Sequence, residues 1–467
     1  MPCTFHLDDP LRELGPGCQF GIPEDELIKL NGEMWCEFHF PLKGVKAKWN
    51  EAQIKVFNEK IFGFIDKASN DGKTADLSGV VFPGSISFNR YADKSNDLPG
   101  VRFFGAMFNG DARFDGVTFG GDAGFEGATF GGDAGFEGTT FGGDAGFDET
   151  TFSGAAAFHG VTFRGIAWFR EATFGGIAWF HGATFAGLAW FHAATFSSVA
   201  GFGGATFSGD AAFHGATFSD IAQFHGATFG GDAGFEGAMF SDDANFSGSS
   251  SPPGDSFLRI TFAGTNFNGQ ARFTNRHFLE STDFGGGLFK KAPEFHNCTL
   301  HQDTNFDGRQ FEDHSGEAVR AYRTLKLAME KVRSWTEQAR FFAYEQQSLR
   351  AQPDTPRWVK LFSRLYEVTA NYGQSCMRPV AGFAGTFAVF FLVYLAFKTK
   401  VPITWADIGD VARFGLQQVF RPFQAFSPSH KDSIPLILAL LAALHSVLNL
   451  SFLTLFILAL RRRFKIG

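Results

Sequence analysis

The chain has 467 residues, enough for two or three domains, and a formal net charge of −7. Phenylalanine supplies 62 residues and glycine 56, whereas tyrosine supplies only 6, so one aromatic residue type is used repetitively. The acidic balance argues against a generally basic nucleic-acid-binding protein, and five scattered cysteines are too few for a disulfide scaffold. The N-terminus lacks a positively charged start and an apolar core, so we expect no secretory signal and a largely cytosolic protein.

Residues 1–74 form a small N-terminal segment with one predicted amphipathic helix, because apolar residues recur at helical spacing within 46–67. Two similar stretches precede this helix, Cys3-Thr-Phe-His6 and Cys36-Glu-Phe-His39, with Cys18 between them. A cysteine and a histidine three residues apart can share one Zn²⁺, and two such pairs would complete a tetrahedron. The spacing matches no established zinc-finger pattern, and thiols often pack as small apolar groups, so we predict no metal and no other cofactor.

A strict repeat dominates residues 75–312. Phenylalanine recurs at alternating spacings of six and five from Phe108 to Phe246, with a small residue, usually alanine, two positions before almost every one. Side chains of extended chain alternate with a period of two, so both residues point inward, while glycine and aspartate supply the turns. Four such sides make a coil of 22 residues, whose phenylalanines stack on those of the next coil. A disordered Phe-Gly tract is the disfavoured alternative, because disorder requires no fixed spacing.

Two insertions interrupt the repeat. The first is a loop at 91–96. The second, SGSSSPPGDS at 247–256, is expected to cost one phenylalanine position while preserving an eleven-residue frame from Phe246 to Phe257. An insertion that preserves the phase of a repeat indicates a loop leaving a solenoid rather than a domain boundary.

Two outward-facing columns of the repeat vary along the chain. The position after phenylalanine holds acidic residues or histidine, and a 22-residue coil stacks His159 on His181 and His192 on His214. Such a column either responds to pH near neutrality or is simply solvated, and we favour the second. In the other column apolar residues replace aspartate beside three tryptophans, which predicts a partner or self-association surface. This predicted interaction surface consists of Ile166, Trp168, Ile177, Trp179, Leu188 and Trp190. Local packing at a corner is the alternative.

The sequence Ala-Asp-Leu-Ser-Gly at 75–79 and the Ala-x-Phe units resemble the pentapeptide-repeat family. The resemblance covers about half of the chain and implies an all-β solenoid, a right-handed quadrilateral β-helix. Alternate units carry an extra residue, such as Asp111 or Asp122, and repeating this insertion every half coil keeps the coils in register. Some members of the family resemble duplex DNA in shape and charge and bind topoisomerases. Residues 101–250 include 16 acidic and 4 basic residues, although aspartate is also a preferred turn residue.

Residues 313–373 are predicted to be an α-helical connector. From Glu317 to Arg350 the sequence is charged, lacks glycine and proline, and spaces its apolar residues in a three-four pattern, which predicts one long amphipathic helix. Its apolar stripe is expected to cap the last coil, with pairing against another helix as the alternative. A second helix is predicted at 357–373.

Residues 374–467 are predicted to be a membrane hairpin of two transmembrane helices. Uncharged stretches at 380–397 and 433–460 contain 18 and 28 residues, each long enough to cross a hydrocarbon layer of ~30 Å. The basic cluster at 461–465 should stay cytoplasmic, so the repeat domain is expected to face the cytoplasm as well.

Two polar residues in the second span, His445 and Asn449, fall four positions apart on one helix face. We expect them to hydrogen-bond to the first helix or to another protomer, with a proton or ion path as the alternative. The solenoid, the connector, the motif Tyr-Gly-x-x-x-x-Arg-Pro at 372–379 and two crossings are similar to bacterial pentapeptide-repeat proteins with a two-helix, potassium-channel-like pore. The segment between the two spans lacks a Thr-x-Gly-Tyr-Gly filter, and Ile408-Gly-Asp410 is its one partial match to that motif. The resemblance therefore supports a membrane anchor rather than a selective pore.

Sequence motifs of catalysis are missing: no nucleophile elbow, phosphate-binding glycine loop or metalloprotease helix occurs. We therefore predict a non-enzymatic, membrane-anchored pentapeptide-repeat scaffold or protein-interaction module in the bacterial inner membrane. Its partners are expected to be the membrane and a protein, which includes self-association, with no small-molecule substrate and no direct nucleic-acid binding. An oligomeric ion-channel-like protein regulated by the solenoid is one alternative, and an acidic DNA mimic that binds a topoisomerase is the second.

Overall fold

The structure is a computed structural model that describes residues 3–5, 18–42, 46–92, 97–249, 256–397, 405–421 and 435–464. The chain divides into two compact units, Met1–Asp313 and His314–Gly467. The first unit is a parallel β-solenoid with a small N-terminal cap, and the second unit is built of helices. The predicted all-β solenoid followed by helices is therefore confirmed.

The N-terminal cap contains an antiparallel hairpin, two 3₁₀ turns and one α-helix. In chain order these are a 3₁₀ turn at Glu24–Glu26, β1 (Ile28–Leu30), β2 (Glu33–Trp35), a 3₁₀ turn at Lys46–Lys48 and α1 (Glu51–Asn70). Helix α1 confirms the helix predicted within 46–67.

Helix α1 covers the open end of the solenoid. A reciprocal capping box between Asn50 and Gln53 begins the helix, and these two hydrogen bonds satisfy backbone N–H groups of its first turn. The buried face of α1 then meets the first coil through edge-to-face ring pairs, Phe57 with Phe82 at 6.1 Å and Phe62 with Phe88 at 5.7 Å between centroids. The cap thus gives the end phenylalanines the neighbours that a next coil would otherwise supply.

Four columns of short strands form the sides of the solenoid, and we number them as faces 1 to 4 in the order in which a coil visits them. The strands that belong to face 1 alone are Ala75–Asp76, Val101–Arg102, Ala123–Gly124, Ala145–Gly146, Ala167–Trp168, Ala189–Trp190 and Ala211–Ala212. Face 2 has the strands Val81–Phe82, Met107–Phe108, Thr129–Phe130, Thr151–Phe152, Thr173–Phe174, Thr195–Phe196, Thr217–Phe218, Met239–Phe240, Asn266–Phe267, Leu288–Phe289 and Gln310–Phe311.

Faces 3 and 4 complete each coil. Face 3 has the strands Ile86–Ser87, Ala112–Arg113, Ala134–Gly135, Ala156–Ala157, Ala178–Trp179, Ala200–Gly201, Ala222–Gln223, Ala244–Asn245 and Ala271–Arg272. The strands of face 4 alone are Thr118–Phe119, Thr140–Phe141, Thr162–Phe163, Thr184–Phe185, Thr206–Phe207 and His277–Phe278. Two longer strands, Thr228–Gly234 and Ser256–Thr261, run from face 4 into face 1 and join these columns into one sheet.

Pairing between regular coils follows the predicted 22-residue repeat. Ala123 pairs with Ala145 on face 1, and Phe130 pairs with Phe152 on face 2, in parallel. The ring of Phe130 stacks on that of Phe152 with centroids 5.0 Å apart. Each phenylalanine is thus buried by its counterparts in the coils on either side, and aromatic stacking adds to the burial of apolar area.

The second insertion alters the repeat in a way that the sequence did not indicate. Phe257 pairs with Phe229 on face 4, 28 residues earlier, and Phe273 stacks on Phe246, 27 residues earlier. The prediction that 247–256 costs one phenylalanine position is therefore wrong: the segment adds residues between faces 3 and 4, and no phenylalanine position is lost. Spacing alone was misleading because the coil gains five or six residues here (28 − 22 and 27 − 22), about one repeat unit, and the phenylalanines keep an eleven-residue spacing.

The second unit begins with a helical hairpin, α2 (Gly316–Lys331) and α3 (Trp335–Ala351). The prediction of one long helix here is wrong, because Arg333 adopts a positive φ of 60° and reverses the chain. Packing compensates for the break: Tyr322 meets Tyr344 at 5.4 Å between ring centroids, and Glu345 accepts hydrogen bonds from two cations of α2.

The remaining helices are α4 (Arg357–Ala370), α5 (Met377–Ala396), α6 (Trp405–Phe420) and α7 (Leu436–Phe464), with a 3₁₀ turn at Asn371–Gly373. Helix α4 confirms the second helix predicted for the connector. Helices α5 and α7 pack against each other, and α6 packs against both. Within the described residues, Met377–Ala396 and Leu436–Arg461 are the helices long and apolar enough to cross a membrane.

Candidate functional site

Aspartate side chains on the outside of the solenoid tie successive coils together. On face 1 Asp122 Oδ1 accepts a hydrogen bond from the backbone N–H of Asp144 at 3.0 Å, and Asp144 Oδ1 accepts one from Ile166 at 2.8 Å. On face 3 Asp111 Oδ1 accepts one from the N–H of Asp133 at 3.1 Å. The extra residue of alternate repeat units therefore has a structural role, since its carboxylate binds the backbone of the next coil.

This aspartate ladder stops in the middle of the solenoid. On face 1 its positions are taken by Ile166 and Leu188 before aspartate returns at Asp210. On face 3 aspartate is replaced from Ala155 to Ile221, between Asp133 and Asp243. The larger apolar residues in the middle of the solenoid are Ile166 and Leu188 on face 1 and Ile177 and Val199 on face 3. These four side chains carry no hydrogen-bond acceptor, and all four are half-buried. Coil register alone does not explain an apolar residue on face 1, because Asp144 and Asp210 hold the backbone of the next coil at this position.

Two tryptophans and two aliphatic residues form an apolar strip on face 1. This face-1 strip consists of Ile166, Trp168, Leu188 and Trp190. The two indoles stack with centroids 5.8 Å apart, and the guanidinium of Arg170 lies 4.8 Å from the centroid of Trp168. The indole N–H of Trp190 is buried and has no hydrogen-bond partner among the described residues.

The other two predicted interaction residues lie on a different face. Ile177 and Trp179 form the face-3 strip, where the Trp179 ring lies beside two histidines, 5.7 Å from His159 and 5.0 Å from His181 by centroid. The six predicted residues thus form two strips separated by face 2, and each side chain is half-buried rather than fully exposed.

Histidines continue both strips along their faces. His159 and His181 lie 5.5 Å apart on face 3, and His192 and His214 lie 4.7 Å apart on face 1, as the 22-residue repeat predicts. Burial lowers the pKa of His181, and the nearby His159 and His225 lower it further. Burial also lowers the pKa of His192, as do His214 and Arg170, whereas Glu236 opposes the change.

A cluster of three thiols and one imidazole lies in the N-terminal cap. Cys3, Cys18, Cys36 and His39 place their ligand atoms within 4.8 Å of one another, and we call these four residues the thiol–histidine cluster. Cys18 Sγ lies 3.5 Å from Cys36 Sγ, and His39 Nδ1 lies 3.4 Å from Cys36 Sγ and 3.9 Å from Cys3 Sγ. The sequence pattern had singled out all four residues, together with His6, which lies outside the described residues.

Polar groups of the helical unit meet between the two apolar helices. The hydroxyl of Tyr394 in α5 lies 3.1 Å from Nδ1 of His445 in α7, and the Phe390 ring stacks on the imidazole at 4.6 Å between centroids. The side chain of Asn449 is buried and has no hydrogen-bond partner among the described residues. His445 thus contacts the first helix, which is one of the two arrangements expected for it.

The segment between the apolar helices is helical where it is described. Ile408-Gly-Asp410 lies inside α6, so its backbone carbonyls accept helical hydrogen bonds and do not form an extended ring of ion ligands. The sequence between 398 and 404 and between 422 and 434 lies outside the described residues.

Four-sided coils followed by two long apolar helices define a β-solenoid repeat protein with helices suited to cross a membrane. The sequence model of the family described as Pentapeptide repeats (9 copies) matches residues 103–151, 147–195 and 202–250, all within the solenoid. The solenoid therefore contains repeats of the pentapeptide-repeat family, as its Ala-x-Phe units indicate. Neither a curated protein nor a solved structure matches the chain.

Proposed function

We propose that this chain is a non-enzymatic scaffold, held at a membrane by its helical unit, whose solenoid binds a protein partner through the face-1 and face-3 strips. The observation that carries the proposal is that apolar residues replace aspartate in successive coils of the ladder, beside the tryptophans. Tryptophan and arginine are the residues that contribute most often to the energetic centres of protein interfaces, and Arg170 lies on the Trp168 ring.

Membrane attachment is supported by α4 as well as by α5 and α7. Five apolar side chains of α4 recur at helical spacing along one face and are exposed, at 48% to 65% of their full area. They are Trp358, Leu361, Phe362, Leu365 and Val368. Because α4 leads directly into α5, this apolar face is suited to lie in the membrane interface.

The charges around α4 fit an anionic lipid surface. Arg357, Lys360 and Arg364 of α4 line an open cleft of about 640 Å³ with Arg350 of α3. Basic side chains beside an interfacial helix are attracted to the anionic lipids of a cytoplasmic leaflet. Three arginines at 461–463 also follow the apolar part of α7. Both groups favour an anionic cytoplasmic leaflet, such as that of a bacterial inner membrane, with the solenoid on the cytoplasmic side.

The non-enzymatic assignment is supported by the structural roles of the recurring polar residues. Aspartates bind backbone N–H groups of the next coil, and the inward Thr139 and Thr150 hydroxyls donate to the carbonyls of Phe114 and Phe125 at 2.6 and 2.7 Å. The polar pattern of the repeat is thus accounted for by coil packing, without a catalytic role.

Capture of partners from native membranes tests the proposal. Replacing Trp168, Trp179 and Trp190 with glycine restores the residue that the repeat carries at 124, 135 and 146. We expect this variant to keep its fold and lose the proteins that co-purify with the wild-type chain. Gln223→Gly changes the same repeat position on face 3 away from the strips and should leave the captured set unchanged. Recovery of the same proteins by the triple variant would refute docking at the strips.

An ion-channel-like assembly is a second candidate, and the buried, unpartnered side chain of Asn449 favours it. A polar group in an apolar helix finds a partner most readily in a second copy of the chain. Reconstituted protein should then pass ions, with conductance lost in Asn449→Leu. Vesicles that remain tight to monovalent ions would exclude this role.

The topoisomerase-binding alternative is tested by adding the full chain to a gyrase supercoiling assay, where unchanged supercoiling excludes it.

A further inference from the structure

We propose that Cys3, Cys18, Cys36 and His39 bind one structural zinc ion, which fastens the N-terminal cap to the first coil of the solenoid. The four ligand atoms converge from three separate stretches of chain and lie within 4.8 Å of one another. A tetrahedral ion with Zn–S of about 2.3 Å and Zn–N of about 2.0 Å sets ligand atoms roughly 3.5 to 3.8 Å apart. The Sγ–Sγ distance of 3.5 Å and the Sγ–Nδ1 distances of 3.4 and 3.9 Å agree with that geometry.

The outer contacts of the thiol–histidine cluster prepare the ligands for a metal. His39 Nε2 lies 3.0 Å from the carbonyl oxygen of Ser78, and a proton on Nε2 leaves Nδ1 as the atom with a free lone pair. The backbone N–H of Cys36 donates to Cys3 Sγ at 3.2 Å, which favours the thiolate form of that ligand.

Charge around the cluster also fits a metal complex. Three thiolates, one neutral imidazole and Zn²⁺ sum to one negative charge. Lys46 is almost fully buried nearby, and its ammonium donates to the carbonyl of Glu37, the residue after Cys36, at 2.6 Å. A buried ammonium opposite an anionic complex offsets part of the cost of burying either charge.

The ligand types and the lack of an open coordination position favour structural zinc over a catalytic metal or a disulfide. Three sulfurs and one imidazole in a tetrahedron suit zinc, and four protein ligands leave no open position for a substrate. A disulfide between Cys18 and Cys36 would leave Cys3 and His39 without the partner that their convergence implies. All three thiols are free in this structure.

The ion would act on the cap through the contacts of its ligands. The ring of Phe5, two residues after Cys3, stacks on His39 at 3.8 Å and covers Gly79, where a Cβ would lie 1.9 Å from the Phe5 ring. The carbonyl of Phe38, the neighbour of His39, accepts the N–H of Val81 in the first coil at 2.9 Å. Zinc would therefore hold the chain that covers this end of the solenoid.

Metal analysis of the full chain tests the proposal. We expect purified wild-type protein to carry about one zinc ion, and Co²⁺ added in its place to give the ligand-field bands of a tetrahedral thiolate site. Cys36→Ser should reduce bound zinc at least tenfold, whereas Cys298→Ser, at a thiol in the solenoid, should keep it. If Cys36→Ser does not accumulate, the wild-type stoichiometry and the Co²⁺ spectrum decide.

Two outcomes would overturn the inference. One is a reduced wild-type chain that purifies without zinc and fails to take up Zn²⁺ or Co²⁺ from a weak chelator. The other is a disulfide between Cys18 and Cys36 in the folded protein. If zinc is bound, chelation should raise hydrogen exchange in the hairpin β1–β2 and in the first coil, because the ion no longer links the ligands of the cap.

Discussion

At the level of single residues, one turn position on face 1 departs from the glycine that the repeat usually carries there. The turn position that is glycine at 127 and 215 is occupied by Glu149, Glu171 and Ala193 in the coils between, all with positive φ. Side chains in this conformation crowd the backbone, so these three turns are strained relative to the glycine turns.

Replacing Ala193 with glycine should stabilise the solenoid. Its φ of 53° lies in the left-handed region, so glycine relieves a strain of about 1 kcal/mol. We expect a higher melting temperature of the β-sheet circular dichroism signal of the full chain in detergent. Ala186→Gly is the matched control, because Ala186 is exposed and has no positive φ, and this change should be neutral or destabilising. A lower melting temperature for Ala193→Gly would contradict the strain.

The histidine columns predict a dependence of stability on pH. Burial lowers the pKa of His181 and His192 in the folded chain, so the unfolded chain, with a histidine pKa of about 6.5, binds protons first as the pH falls. Their contribution to stability is therefore complete above pH ~6.5 and is lost below it. The charged or titratable groups facing them are His159 and His225 for His181, and His214, Arg170 and Glu236 for His192.

The measurement is the melting temperature of the full chain at about pH 7.5 and 5.5. We expect it to fall at the lower pH and to fall less in the double variant His181→Gln with His192→Gln. His301→Gln, at a histidine outside both columns, should keep the wild-type dependence. An equal fall in the double variant would assign the effect to other groups.

At the scale of elements, the aspartate ladder explains how a repeat with added residues stays in register. Removing one member should loosen two neighbouring coils. Asp144→Ala leaves the Ile166 N–H without its acceptor at 2.8 Å, which should lower the free energy of unfolding by about 1 kcal/mol. Asp144→Asn retains an acceptor oxygen and should lose less. Denaturant titration measures both changes, and equal stability of Asp144→Ala and the wild type would show that the ladder contributes nothing.

How much of each element could be predicted depended on whether its cause was local. The phenylalanine period predicted the strand columns because one inward residue per side is enough to define a coil. The reversal at Arg333 and the shifted register at Phe257 depend on packing between distant residues, which spacing does not record. The buried Arg309 is similar: it occupies an inward position, where Gly287 in the preceding coil makes room for its guanidinium.

The candidate sites, too, could be predicted where their signal is local in the sequence and not where it depends on the fold. Sequence spacing brought Cys3, Cys36 and His39 together as a hypothesis, but it did not place Cys18 beside Cys36, since that needs the fold of the whole cap. The six predicted interaction residues stand out in the sequence because they deviate from the repeat. Their separation into a face-1 strip and a face-3 strip follows from the four-sided coil, and the unpartnered indole N–H of Trp190 could be found only in three dimensions.

At the scale of the whole molecule, each unit carries a different surface. In the helical unit, α4 should lie in the membrane interface with its apolar face toward lipid. A photoreactive phenylalanine analogue at Phe362 should form adducts with lipid acyl chains in reconstituted membranes. The same analogue at Arg364, on the basic side of α4, should form few. Equal labelling at the two positions would contradict an interfacial α4.

We propose docking of a protein partner where the aspartate ladder is replaced by apolar residues. Its most direct test is site-specific photocrosslinking in native membranes, with a photoreactive residue at Leu188 and, as matched controls in the same face-1 column, at Asp144 and Asp210. We predict an adduct of defined mass at 188 that is absent at 144 and 210 and is lost when Trp168 and Trp190 are changed to glycine. Equal labelling at all three positions, or none at 188, would contradict docking at the face-1 strip.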